Sequence, residues 1–550
     1  MKEIHCKGEE MKLNLKNKIM LAFFSTVLVT SIAYTIVSYT KEKNSLLASK
    51  QENLIAMRES KYHEIKNLFE NIKKQTEVLS QTPYVIDAME SFNSSVEDYQ
   101  QFAAEGSSEF VTMKSDVERF YNEVFLEKFK KTNNGKTIDT KELIGTMSPG
   151  AIVQQYYHVL QKESGKNLDK TDWSGVHEKF HPLFKRYLDA YGYYDIFLID
   201  NNTGKIVYSV LKQIDFGTSL KTGPFKDSGL ASIFHQIKSS KSKEAIFIDM
   251  NKYVPSYKAP TAFLGAPIYK QGTRVGTLVM KIPVKKIDAI MTSKKLWSKK
   301  GFGKTGESYL VGQDLKMRSI SRRFSENPES FFKYKKGMVS DELLDYIRAK
   351  DTTVLTAKVE NAAVSSALQG DFGISEVKNY YGNEVISAYK NVNILGTNWA
   401  LVVEKSMTEV LDPVRDLVFT LGIILLVVLC VTFFLSVVIA GRITGPIIKS
   451  VELVEGLSQG KLEYQPAQKY QKDETGFMLR SIEKTIDRLK DILNTSHVDW
   501  EDVKNQKKRE LEALEESKVQ KKTGRRSSKR GFIRKRKSDR SPKNCQRFAK

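Results

Sequence analysis

Cysteine is nearly absent from this 550-residue chain: it occurs only as Cys6, Cys430 and Cys545, never between Lys41 and Asp416. That long segment must fold without disulfides, which excludes a disulfide-dense scaffold. Glycine and proline are missing from Lys41 to Gln81, so nothing there breaks a helix. Acidic residues are almost missing from Lys518 to Lys550, where 15 Lys or Arg face only Asp539. Much of the formal net charge of +22 therefore sits in one tail. The rest of the chain carries no nucleic-acid signature, and no nucleic-acid partner is expected.

Charge of either sign is lacking from two runs. Leu417 to Gly441 is uncharged between Asp416 and Arg442, and a helix of that length covers the roughly 30 Å hydrocarbon core of a bilayer. Ile19 to Thr40 is likewise uncharged and follows Lys12, Lys16 and Lys18. It is too long for a signal peptide's apolar region and has no small-residue cleavage site, so it reads as a first span. Met11 opens a cleaner start than Met1. Lysines before the first span, with Arg442 and Lys449 after the second, place residues 1–18 and everything after 441 in the cytoplasm. Residues 41–416 are then exported, and their lack of cysteine suits a bacterial envelope.

The exported part begins as a long helix to about Gln81, with Leu54, Met57, Ile65, Leu68, Ile72 and Val78 at helical intervals. Helices are expected at about Ser95–Lys131 and Gly150–Glu163. Short β-rich runs follow at 195–200, 204–210, 244–250, 261–269 and 274–284, with a helix at 230–239. After a connecting helix at 285–300 the pattern returns in shorter form. Strands are expected at 307–311, 317–321, 364–368, 384–390 and 399–405, with a helix at 340–349. Two similar α+β modules in tandem on one long helix is the economical reading.

Two stretches here resemble a known family. GFGKTGESYLVGQDLKMRSISR (Gly301 to Arg322) is similar to the opening of the membrane-proximal module of a double Cache sensor. YGYYDIFLIDNNTGKIVYSV (Tyr191 to Val210) is similar to the first hairpin of the distal module. The resemblance implies a PAS-like distal module closing a 41–300 segment and a proximal module at 301–416. It also implies a small-molecule pocket on the distal sheet. Candidate ligand-binding residues are Tyr194, Tyr208, Asp249, Tyr253 and Tyr257, and the bland alternative is half-buried tyrosines with satisfied hydroxyls. The Tyr/Arg/Trp/Asp signature of the amino-acid-binding subset has no clear counterpart, so an amino-acid ligand is not implied.

A rival chemistry sits at His177-Glu178-Lys179-Phe180-His181, which matches the H-E-x-x-H pattern of zinc peptidases. Pro182 directly follows, however, and restricts His181 away from helical dihedrals. No third ligand stands at a recognised spacing. The pair reads as surface or loop histidines, no cofactor is expected, and the chain is not expected to be an enzyme.

Beyond the second span, Ile447 and Val454 are seven apart, as are Ser450 and Leu457. Leu479, Ile482, Ile486, Leu489 and Leu493 then follow 3-4-3-4 spacing. With Pro446, Gly460 and Asp473-Glu474-Thr475-Gly476, residues 442–495 resemble a HAMP domain. One seam per helix cannot be buried by one chain, so a parallel homodimer is expected. Residues 496–518 continue as a charged helix similar to the exit helix of chemoreceptors and sensor kinases. No kinase, cyclase, phosphatase or methylation-and-signalling hairpin is recognisable, so cytoplasmic signalling partners are expected only with an output module. The tail 519–550 reads as disordered. A one-nucleotide shift would turn RRSSKRGFIRKRK into EEAAKEALLEKEK and extend the helix, which points to a frameshift truncation.

The whole reads as an α+β membrane protein. It is most like a two-span methyl-accepting chemotaxis receptor, with the input half of a sensor kinase or cyclase as the alternative. The rivals of another class are an exported zinc peptidase and a lipid- or nucleic-acid-binding anchor.

Overall fold

One helix of 66 residues, Leu15–Ser80, leads the chain into its α+β segment. Its buried residues Leu54, Arg58, Lys61, Ile65, Phe69, Ile72, Thr76 and Ser80 recur three or four apart, so a single stripe faces the rest of the segment. A computed structural model describes residues 14–160, 171–495, 502 and 504–517. The expected basic tail and most of the start of the exit helix lie outside the described residues. The chain divides into two units, Tyr39–Leu417 and the remainder.

In the Tyr39–Leu417 unit the strands are β1 (Asp195–Asp200), β2 (Ile206–Ser209), β3 (Ile246–Tyr253), β4 (Ala259–Lys270) and β5 (Thr273–Lys281). They form an antiparallel sheet of order β2-β1-β5-β4-β3. A second antiparallel sheet has the order β6-β9-β8-β7, from β6 (Glu307–Val311), β7 (Phe372–Lys378), β8 (Glu384–Ile394) and β9 (Thr397–Ser406). The orders correspond strand for strand once β2 is set aside. The second sheet has only an isolated Val311–Met317 bridge at that place, where a strand at 317–321 was expected.

Other expectations are corrected. The run 364–368 is not a strand but part of a helix, Ala362–Leu368, started by Asn361, whose side chain accepts from the Val364 N–H at 3.0 Å. That cap and three alanines favour helix over the short β-branched pattern. The connector after β5 is α-helical only over Val284–Met291; Ser293, Lys294 and Lys295 then turn left-handed, at φ of 50°, 56° and 64°, and a single 3-10 turn follows at Ser298–Lys300. A helix at Pro83–Ser95 was not expected, although Thr82 caps it and Pro83 opens it.

His177 and His181 are not in a loop. Asp172–Tyr191 is one helix with Pro182 inside it. Its apolar face buries Trp173, Phe180, Phe184 and Leu188, which offsets a cost of about 3 kcal/mol for an interior proline. Beside the proline the Tyr84 hydroxyl lies 3.2 Å from the carbonyl of Lys179 and 2.9 Å from that of Phe180, positioned to donate to both.

The other unit holds the elements before Tyr39 and after Leu417. Leu15–Ser80 and Met407–Ser458 are the two described helices long and apolar enough to cross a membrane. Ser436, Ala440 and Thr444, one turn apart, are buried, as small residues are where helices pack closely. The second long helix ends at Gly460, which has φ of 76°, with Gly460 N–H on the Leu457 carbonyl and Lys461 N–H on that of Gly456. That left-handed double-bonded end stops the helix. Glu474–Thr495 then starts at Asp473, whose carboxylate accepts from the Gly476 N–H at 3.0 Å. A side chain at Gly476 would collide with the Gln471 carbonyl. Glu483 is buried and ties the connector back, accepting from the Tyr470 hydroxyl and, at 3.1 Å, from the Ala467 N–H.

Candidate ligand site

The first residue of β1 and the last of β5 stand directly opposite each other: Asp195 pairs with Lys281. Alternation along the strands puts both on the face that carries Ser209, whereas Tyr208 lies on the other. Asp195 is fully buried and well held. It accepts from the Ser209 hydroxyl at 2.9 Å, the Ile196 N–H at 2.8 Å and the Leu211 N–H at 3.1 Å. The Lys281 ammonium donates to Gln213 Oε1 at 3.0 Å and to the Ser256 hydroxyl.

A second acid joins them from the loop after β2. The Tyr253 hydroxyl, at the end of β3, donates to Asp215 Oδ2 at 2.5 Å. Two π-helical turns, Phe120–Phe125 and Tyr156–Leu160, flank the same place; such turns are frequent at functional sites. Gln155 clamps the loop by donating to the carbonyls of Ile214 at 2.6 Å and Phe216 at 3.2 Å, and accepts from the Tyr121 hydroxyl at 2.8 Å.

Burial sets the electrostatics. Desolvation raises the Asp215 carboxyl to about 6, with nearby Asp195 adding to the rise and the Tyr253 bond opposing it. Desolvation also raises Asp195 and lowers Lys281, each partly restored by the other. Tyr253 and Tyr121 are pushed up by burial and so stay neutral donors.

Three polar atoms of this cluster have no hydrogen-bond partner among the described residues: Asp215 Oδ1 and both amide atoms of Gln154. Gln154 is fully buried, and the backbone of Gly217, at φ of 78°, lies so close that a Cβ there would collide with its amide. Buried polar groups are nearly always paired, so this set has room in its bonding for a polar guest.

Of the five residues singled out from the sequence, only Tyr253 belongs to this cluster. Tyr208 stacks on Phe92 at 4.7 Å and bonds to His181 Nδ1 at 2.9 Å. Tyr194 directly precedes β1, and its hydroxyl reaches the start of the connector, 3.4 Å from the Lys285 N–H. Tyr257 has φ of 55° and stacks on Phe125 at 5.4 Å. Asp249 joins the two sheets: it accepts from Arg318 Nε at 3.0 Å and Nη2 at 2.9 Å and from Trp399 Nε1 at 3.1 Å. Asp215, Gln154, Asp195 and Lys281 were missed. The available signal was a pair of charges at the ends of otherwise apolar strands.

The His177 and His181 rings stack at 4.2 Å and 21°, so their in-plane lone pairs run side by side rather than converging on one ion. No group of three or more metal-binding side chains occurs among the described residues.

No family model matches the chain. It is 25% identical over 301 residues to a probable chemoreceptor, y4sI, of Sinorhizobium fredii, a match covering 52% of this chain. The match covers 32% of that relative, so the chain spans about a third of its length. Among solved structures it is similar to the ligand-binding domain of the Pseudomonas aeruginosa amino acid chemoreceptor PctB in complex with L-Arg. That similarity is 13% identity and a TM-score of 0.28, over 54% of this chain and 98% of that one. The ligand-binding domain of Pseudomonas fluorescens CtaA with L-serine gives 13% identity and 0.25, over 54% and 92%. The match to the probable chemoreceptor bears out the resemblance to chemoreceptors.

Proposed function

We propose that the chain is a membrane-anchored receptor, not an enzyme, that binds a small polar molecule against the five-stranded sheet and signals in chemotaxis. The observation that carries this is the set of unpartnered buried atoms, Asp215 Oδ1 and the Gln154 amide. A guest that fits brings a donor for Asp215 Oδ1 and Gln154 Oε1 and an acceptor for Gln154 Nε2.

The signal would pass through a double-Cache sensor segment into a HAMP-like bundle. Pro446 and the turn geometry of Gly460, Asp473, Glu474 and Gly476 support that reading. So does the seam, where Leu479 and Ile486 are buried within one chain while Val454 is 49% exposed. Ile447, Leu457, Ile482, Leu489 and Leu493 are only partly covered, as expected if a second chain completes the seam. Two spans of a bacterial inner membrane, with the sensor segment outside, complete the proposal.

A thermal-shift screen of organic acids, amines, amino acids and purines on the full chain tests it. Binding to the native state adds RT ln(1 + [L]/Kd). A hit whose shift vanishes in Asp215→Asn and Gln154→Leu supports the site. A hit that keeps its shift in both variants moves the site elsewhere.

A further inference from the structure

The second sheet repeats the first at its most charged position, with one difference. Glu307, the first residue of β6, stands opposite Glu404 of β9, the pairing that Asp195 makes with Lys281. Directly opposed residues in an antiparallel pair have Cβ atoms about 5 Å apart. Both glutamates are buried, 5% and 1% exposed.

No cationic side chain is hydrogen-bonded to either carboxylate among the described residues. Glu307 Oε1 accepts from the Arg322 backbone N–H at 2.6 Å and Oε2 from the Tyr380 hydroxyl at 2.7 Å. Glu404 accepts from the Tyr309 hydroxyl at 2.6 Å and from Asn379 Nδ2 at 2.7 Å. The nearest guanidinium is committed elsewhere: Arg322 donates to the carbonyls of Gly306 and Gly303, is 2.9 Å from Glu326, and lies over the Trp297 ring. Arg323 lies over Tyr381. From β8, Ser387 pairs with Glu404 in register.

We propose that Glu307 and Glu404 form a proton-binding site, sharing one proton across the strand pair, and that the four-stranded sheet thereby reads acidity as a second input. The Arg322 guanidinium acts on Glu307 and that of Arg323 on Glu404 only through space, and burial outweighs both, so two like charges this close cannot both ionise cheaply in a dry interior. Burial and Glu404 together raise the Glu307 carboxyl to about 7, so the exchange falls at neutral pH. Solvent has a way in. A cavity of about 600 Å³ is lined by Glu307, with Lys304, Arg323, Glu326 and Glu384 as its other charged groups besides Arg322. Its wall also includes Ser406 and Met407, where β9 runs without a break into the Met407–Ser458 helix. Loss of the proton leaves two facing carboxylates on β6 and β9, and repulsion there acts on the strand that leads into the span.

The proton site does not depend on the polar ligand proposed for the other sheet; only its use as a sensory input rests on the receptor reading. The test is infrared titration of the protonated carboxyl band in the full chain, reconstituted in lipid nanodiscs, across neutral pH. In wild type a carboxyl titrating near neutrality is expected. The Glu307 component disappears in Glu307→Gln, while Asp288, which burial also raises to about 7, keeps titrating. In Glu404→Gln, with the like charge removed, proton affinity falls about tenfold or more. Asp215→Asn and Asp288→Asn, which remove carboxyls that burial raises to about 6 and about 7, each leave the Glu307 titration in place. Equal titrations in wild type and Glu307→Gln would overturn the proposal, as would an unmoved midpoint in Glu404→Gln. The second variant carries the test if the first does not fold. A ligand shift that survives in both glutamine variants shows that the polar-ligand site stands or falls separately.

Discussion

At matching places the two sheets hold opposite electrostatic choices. Asp195 faces Lys281 in one, and Glu307 faces Glu404 in the other. The first pair neutralises itself and leaves its polarity for neighbours, so Asp215 and Gln154 are the unsatisfied members of that cluster. The second pair bonds to neutral donors, the Arg322 and Arg323 guanidiniums offset its repulsion only in part, and on our proposal a shared proton resolves the rest. The same strand arrangement thus supports a ligand-shaped deficit in one sheet and a proton-shaped one in the other.

The harshest break of this contrast is Lys281→Met. It strands two buried carboxylates without their cation, and removing one partner of a buried charge pair costs about 3–5 kcal/mol. Denaturant unfolding of the full chain should show that loss, and a loss under about 1 kcal/mol would mean that Asp195 is already neutral. Next is the junction. Asp249→Ala removes three hydrogen bonds across the junction, two of them from the buried Arg318, and a local one from the Met250 N–H. Asp314 still contacts Arg318 at 2.8 Å, so the expected cost is about 2 kcal/mol rather than the full price of a bare charge. If the junction couples the sheets, the proximal titration should also shift in that variant.

The pH dependence has a definite sign. Glu307 and Asp215 are both raised, to about 7 and about 6. A carboxyl with a raised folded value adds stability that is fully present below its unfolded value and is lost as pH rises through the folded one. Thermal midpoints should therefore fall as pH rises from the ordinary carboxylate range, about 4, and level off above about 7. Glu307→Gln should reduce the part of that fall above about 6, which Asp288, also raised to about 7, shares, and Asp215→Asn should reduce only the part that ends near 6. A midpoint that rises across that window would contradict both assignments.

The strands that carry these pairs were legible in the sequence. β1 and β6 have the expected bounds, because short apolar runs end at clear turn residues. What was not legible depended on the third dimension. β7 is a half-exposed edge strand with Phe372 on the surface, so its alternation is faint. The helix 172–191 carries a proline that local rules forbid and packing overrides. Tyr253 stood out as a sheet residue, but nothing local marks Gln154 as buried or Asp215 as its neighbour. Those facts come from the Gly217 turn pressing a loop onto a helix. Equally, the charges at 195, 281, 307 and 404 look like ordinary strand ends until register makes them pairs.

The smallest expected effect has the opposite sign. Gln154 is wholly buried and both its amide atoms lack partners among the described residues, so in the ligand-free protein it is a net cost. Replacing such a group with an apolar one of similar shape is nearly neutral or stabilising. Gln154→Leu should therefore raise stability by up to about 1 kcal/mol, read as a higher denaturant midpoint at unchanged slope. The same change removes one donor and one acceptor from the site, so the stabilisation by a screened ligand should vanish. A binding residue held at some cost to the empty fold predicts that combination, while a structural residue predicts loss of stability. If Gln154→Leu destabilises the chain by more than about 1 kcal/mol, a bound water completes the amide's bonds, and the guest is to be sought at Asp215 alone.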